Sequence, residues 1–229
     1  MSTPTPLRTP PDATTPGHHH GYHRWDAGLA AVLAAALYIP LDAKLTLGPR
    51  WAPILIVGVL LVLIVIEQEA LRRLGGWTLS VRHVRMLALL VLGVLALAEA
   101  STLVLLIIRL PTMKAGGDLF ASAGLIWVIN LLVFALCYWE IDGGGPARRP
   151  LADCPPAAFL FPQQTDPRLS AGWAPEFVDY LFLAFNTGAV FSPTDTMILS
   201  RQAKLVMMVQ ATIALLTVGV VGARGVNII

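Results

Sequence analysis

Three runs of this chain, Met86–Ile108, Leu119–Trp139 and Leu205–Ala223, are apolar almost throughout and 19 to 23 residues long. At about 1.5 Å per residue, helices of that length reach about 30 Å, the thickness of a bilayer's hydrocarbon core. Few other environments accept such runs. A soluble domain carries about 25% charged residues, whereas this chain carries 13%, with 56% apolar residues and a mean hydropathy of +0.70. The expectation is therefore all-α: a multi-pass transmembrane helix bundle in contact with a lipid bilayer. A net charge of +2, with no basic stripe interleaved with aromatics, argues against nucleic acid as a partner.

Two further runs are shorter, Ala27–Leu41 with Pro40 near its end and Trp51–Ile66 with a polar extension through Arg73. They span only with the help of their flanks. Trp25, Trp51, Trp77, Trp139 and Trp173 lie near run ends, where interfacial aromatics gather. The count expected is five spans.

The stretch Pro175–Arg224 has a different layout. A short apolar helix over Phe177–Val190 is too brief to cross comfortably, and the polar break Phe191-Ser192-Pro193-Thr194-Asp195-Thr196 follows it before the last long helix. A half-span, a polar turn and a full span make a re-entrant pore helix and loop before the last transmembrane helix. Non-helical backbone at that depth is tolerated only where protein or water surrounds it. Pro193 lacks a backbone donor and Asp195 is placed to cap the next turn. Two readings stand side by side: a tight turn held by its own side chains, or a constriction in which Ser192, Thr194 or Asp195 faces ions.

Met1–Asp26 is a Pro- and Thr-rich polar arm, expected to be disordered. Its His18, His19, His20 and His23 read as a solvated tail more readily than as a weak metal site, and no metal ligands are assigned. The arm has no basic start or small-residue cleavage site of a cleaved signal peptide. Between Glu140 and Ala174 lies a long Pro-rich connection opened by Gly143-Gly144-Gly145-Pro146. Glu140, Asp142, Asp153, Asp166, Glu176 and Asp179 in or beside it suggest a negative vestibule that concentrates cations, or a merely solvated loop. Cys137 falls in an apolar run and Cys154 in the loop, with no metal-ligand spacing between them.

Polar side chains inside a membrane are expensive and each invites a functional reading. Glu99, mid-run and followed by Ser101 and Thr102, is a candidate proton or cation site, or a neutral carboxyl bonded to a neighbouring helix. Asn130 and Gln210 are mid-span amides of the kind that bond across helices. No Ser/His/Asp set, phosphate-binding Gly loop or His-x-x-x-His pair is present, so no catalytic residues and no cofactor are expected, and the protein is not read as an enzyme.

Asn186–Ala211 is similar in layout to the pore module of tetrameric potassium-type channels, two helices around a pore loop. Setting Phe185-Asn186-Thr187 on that family's pore-helix Phe-x-Thr places Asp195 on the aspartate after its filter. The same match puts Ala203-Lys204 on its Ala-Arg pair at the start of the inner helix. The filter itself falls on Val190-Phe191-Ser192-Pro193-Thr194, where both glycines are absent and a proline stands, a degenerate filter without the elements of a carbonyl ladder.

The chain also resembles a family of uncharacterised bacterial multi-pass membrane proteins related to that module. The matching residues are Trp139-Glu140-Ile141-Asp142, Gly144-Gly145-Pro146, Phe159–Gln163, Asp179-Tyr180-Leu181, Phe191–Met197, Lys204–Gln210 and Val226-Asn227-Ile228. The resemblance implies a bacterial inner (plasma) membrane address, a homotetramer and monovalent cations as partners. Its outward-facing loop would leave only five of the 16 Lys and Arg residues inside, against the positive-inside rule.

The organisation expected is thus an arm (1–26), N-terminal transmembrane helices (27–118) and a channel-like module (119–229). The module comprises an outer helix, the loop 140–174, a pore helix 176–190 and an inner helix 203–224. The function expected is ion conduction or binding at the Ser192–Asp195 turn. The alternatives are a non-conducting scaffold that keeps the architecture and a proton-coupled carrier using Glu99.

Overall fold

A computed structural model describes residues 24–74, 78–112, 117–146, 148–149, 154–170, 173–189 and 195–226, with the side chains of 24–25, 63–64, 66–74, 78–82, 84, 112 and 225–226 left undescribed. The histidine-bearing arm before residue 24 and the loop acid Asp153 lie outside these residues, as do Trp77 and Asn227-Ile228.

The described chain is mostly helical. Its helices are α1 (Arg24–Ala36), α2 (Ala52–Leu74), α3 (Thr78–Arg109), α4 (Gly117–Ile141), the single turn α5 (Pro162–Thr165), α6 (Phe177–Ala189) and α7 (Arg201–Val226). The fold is not purely α. Strand β1 (Phe159–Leu160) pairs antiparallel with β2 (Met197–Ile198), Phe159 opposite Ile198 and Leu160 opposite Met197.

Three helical stretches among the described residues are long and apolar enough to cross a membrane: Arg85–Arg109, Gly117–Gly144 and Arg201–Arg224. They carry the three runs that meet the length rule unaided. The first run behaves otherwise. Its helix stops at Ala36, after 13 residues and about 20 Å. The chain then turns through Leu37–Leu41, and Tyr38, Leu41 and Leu45 are inserted into the core while Arg50 donates to the Leu41 carbonyl at 2.9 Å. Pro40 ends helical hydrogen bonding here, and the apolar residues beyond it serve as a plug rather than as the end of a span.

α4 is the axis. It packs against α1, α3, α6 and α7, and from Ile129 to Glu140 every residue but Cys137 is buried. A helix apolar all round suits either a protein core or a membrane span, and in this segment neighbouring helices cover it on nearly every side. α7 is the opposite case. Its buried positions Ala203, Gln210, Ala214, Thr217 and Val221 recur at heptad-like spacing, forming one narrow seam of mostly small residues. Leu205, Met208, Val209, Leu215 and Val218 face outward. The helix begins on Ser200, whose Oγ accepts from the Ala203 amide at 3.0 Å.

α6 lies antiparallel along the second half of α4. Phe177 meets Trp139 with ring centroids 6.1 Å apart, and eleven residues further along α6 the Gly188 carbonyl accepts from Nε1 of Trp127, twelve residues before Trp139 on α4, at 3.2 Å. The helix starts with Asp179 Oδ2 accepting from the Glu176 amide at 2.7 Å, the reach-back half of a capping box. Beyond the turn, the Leu199 amide donates to the Ala158 carbonyl at 2.8 Å, so the chain is again beside β1 when α7 begins.

The Gly143–Gly145 run that ends α4 has φ of 56°, 77° and 91°, three consecutive left-handed residues. A Cβ on Gly144 would stand 2.9 Å from two ring carbons of Pro155. Gly144→Ala is expected to destabilise by about 1–3 kcal/mol, from the backbone conformation and the clash together. Thermal unfolding in detergent checks it; an unchanged transition would mean that this turn is not held in place by the loop above it.

Candidate functional site

Two polar constellations are built on the α4 axis, one at its end and one at its middle. At the end stands Asp142, 4% exposed. One carboxylate oxygen, Oδ1, accepts from the amides of Ala158 (2.6 Å) and Phe159 (3.3 Å), and Oδ2 accepts from the Tyr180 hydroxyl at 2.6 Å. Asp142 thereby ties three segments together: the end of α4, the start of β1 and the first turns of α6.

Arg149 completes this hub. Its Nε donates to the Asp142 carbonyl at 3.0 Å and its Nη2 to the Trp139 carbonyl, while its guanidinium carbon lies 4.4 Å from the Trp139 ring centroid and 5.1 Å from that of Tyr180. Such a stacked, forked arrangement uses properties that arginine has and lysine lacks. Trp139, Phe159 and Phe161 surround the Tyr180 ring edge-on, with centroids 5.4 to 6.1 Å away. Burial above all, helped by Asp142 and Asp179 and opposed by Arg149, pushes the Tyr180 phenol up, which keeps it the donor of its bond to Asp142.

This corrects the negative vestibule. Glu140 and Asp142 are buried, and the Asp142 charge is taken up by internal donors rather than offered to solvent. Of the other acids proposed for it, Glu176 is exposed and Asp166 and Asp179 are half-buried. The sequence signal for the hub was present in Trp139–Asp142, Phe159–Phe161 and Asp179–Tyr180. Its meaning depended on contacts across 16 to 38 residues, which spacing alone does not reveal.

At the middle of the bundle the structure brings Glu99, Asn130 and Gln210 toward one another. Glu99 and Asn130 are each 1% exposed and Gln210 is fully buried. Asn130 Nδ2 donates to Glu99 Oε1 at 2.6 Å, joining α3 to α4. Gln210 Nε2 donates to the Ala184 carbonyl at 2.8 Å, and its Oε1 accepts from the Tyr138 hydroxyl, joining α7 to α6 and α4. Between the two amides lies Gly188. A Cβ there would be 3.0 Å from Leu131 Cδ2, 3.5 Å from Gln210 Nε2 and 3.8 Å from Asn130 Oδ1. A polar thread therefore runs through the bundle, from Glu99 by way of Asn130 and past Gly188 to Gln210 and Tyr138.

The remaining predicted residues are placed as follows. Asn186 Nδ2 donates to the Phe182 carbonyl at 3.0 Å and Thr187 Oγ1 to the Leu183 carbonyl at 2.9 Å, so both are bonded within their own helix. Asp195 is exposed and Thr196 is buried. Phe191, Ser192, Pro193 and Thr194 lie outside the described residues. Ser101 and Thr102, next to Glu99, each donate to the Ala98 carbonyl. Among the described residues no cluster of His, Cys, Asp and Glu is arranged to hold a metal ion. Cys137 and Cys154 are both free thiols.

No family model, no curated protein and no solved structure matches this chain.

Proposed function

We propose that this is a pore-loop membrane protein that conducts or binds monovalent cations as a homo-oligomer, a tetramer by analogy with the channel module. In this reading α6 is a re-entrant helix, and Thr194 and Asp195 lie nearest the constriction. The observation that carries it is the course of α6 and its return. Thirteen residues give about 20 Å. They lead from Trp139 at the end of α4 only to Trp127 near its middle, and the chain is back beside Ala158 at Leu199. A segment that enters to half depth and leaves by the same face is what a pore loop requires. The flanking helices α4 and α7 are each long and apolar enough to span, as the outer and inner helices of such a module must be.

A second reading, a non-conducting scaffold that keeps this architecture, has one observation in its favour. Asn186 and Thr187, the polar residues of the proposed pore helix, are bonded to their own helix backbone, and Thr196 is buried. Flux into liposomes separates the two. Under potassium, sodium and chloride gradients, conduction predicts cation flux above protein-free vesicles, reduced several-fold by Asp195→Asn or altered in ion preference by Thr194→Val. Silence for all three ions from protein that is folded and correctly inserted would sink the pore and leave the scaffold.

A further inference from the structure

We infer that Glu99 is a proton-binding site within the bundle, its proton carried on the carboxyl oxygen that faces away from Asn130. The two oxygens of this side chain have different surroundings. Oε1 accepts from Asn130 Nδ2, whereas Oε2 is buried with no hydrogen-bond partner among the described residues, so no Lys, Arg or His side chain neutralises it there. A carboxylate with one neutral donor, deep in apolar surroundings, is neutralised by taking up a proton far more cheaply than it is kept ionised.

A second orphan lies beside it. The Tyr38 hydroxyl, 1% exposed, sits within the electrostatic reach of Glu99 and next to Thr102, yet it too has no hydrogen-bond partner in place. The phenol, a donor in its own right, is not bonded to Oε2 and leaves a charge there uncompensated; a proton on Oε2 removes that charge.

A metal cation fits the site less well. Asn130 presents its NH2 to Glu99, while its own Oδ1 is on the Gly188 side, so too few oxygens converge to replace a hydration shell. The titratable groups within electrostatic reach of Glu99 are Tyr38, from the segment after α1, and Cys137, from α4. The described side chains of α2 include no titratable group, and α7 carries its charges, Arg201, Lys204 and Arg224, at its ends.

The test is infrared difference spectroscopy of the full chain in lipid nanodiscs as pH is stepped, with no ion gradient, so its result does not depend on conduction. The expected result is a carboxylic-acid C=O band of a buried, slowly exchanging group that is missing in Glu99→Gln. In Tyr38→Phe the band should persist at a shifted frequency. Identical difference spectra for wild type and Glu99→Gln would overturn the inference. So would a band abolished by sodium or potassium at fixed pH, which would assign the site to a metal cation. Should Glu99→Gln fail to fold, Tyr38→Phe decides: a shifted band supports the proton, and an unshifted one overturns it.

Discussion

Asp142→Ala is expected to lower the stability of the folded protein by about 3–5 kcal/mol, the largest effect of any single truncation in the loop. Three buried donors, the Ala158 and Phe159 amides and the Tyr180 hydroxyl, would lose their acceptor together. Each unsatisfied donor costs about 1–3 kcal/mol. Tyr180→Phe removes only one of these bonds and is expected to cost about 1.5–3 kcal/mol, since a bond to a charged acceptor is at the strong end of the range. The double variant should fall short of the sum, because Tyr180 has nothing left to donate to once Asp142 is gone. Thermal unfolding of the four proteins in one detergent measures all of this. A wild-type transition for Asp142→Ala would mean that the end of α4, β1 and α6 hold together without the carboxylate.

Gly188→Leu is the second large effect. The position faces side chains of both α4 and α7, and a Cβ added there would sit 3.0 Å from Leu131 Cδ2. The far carbon of Leu131 can move aside for a single methyl, so Gly188→Ala is expected to be nearly neutral. A leucine must also displace the Gln210 and Asn130 amides, which disturbs the bond from Gln210 to Ala184. Overpacking costs about 1–3 kcal/mol and more when hydrogen bonds break with it. The expected pattern is a marked loss of transition temperature and of monodisperse yield for leucine but not for alanine. Equal stability of all three proteins would show that α6 has room to withdraw from α4.

These two sites mark how far the sequence could be read. α3, α4 and α7 followed from length and apolarity, because a bilayer imposes one simple rule on both. Ala27–Leu41 obeyed another influence: Pro40 and the buried Tyr38 and Leu41 make its second half a plug within the core. Glu99, Asn130 and Gln210 stood out as polar groups in apolar runs. Which of them meet, and that Gly188 lies between the amides, depends on the rotation of four helices about their axes, and no local pattern encodes that. Asp142 was visible as an acid in a polar loop, and nothing in its neighbours revealed that its partners lie at 158, 159 and 180.

The direction of those contacts bears on how the molecule is made. Every donor to the Asp142 carboxylate among the described residues follows it in the chain, the last by 38 residues. At synthesis rates of about 5–20 residues per second, Asp142 waits a few seconds for Tyr180 to be made. Through that interval α4 is already an insertable segment, and its terminal carboxylate has no internal donor, so water at the membrane surface must solvate it. Tyr180 arrives on the same helix that brings Gly188 to Asn130. Docking of α6 therefore closes the loop and covers the acid together. Until α6 docks, the end of α4 carries a carboxylate that water must solvate.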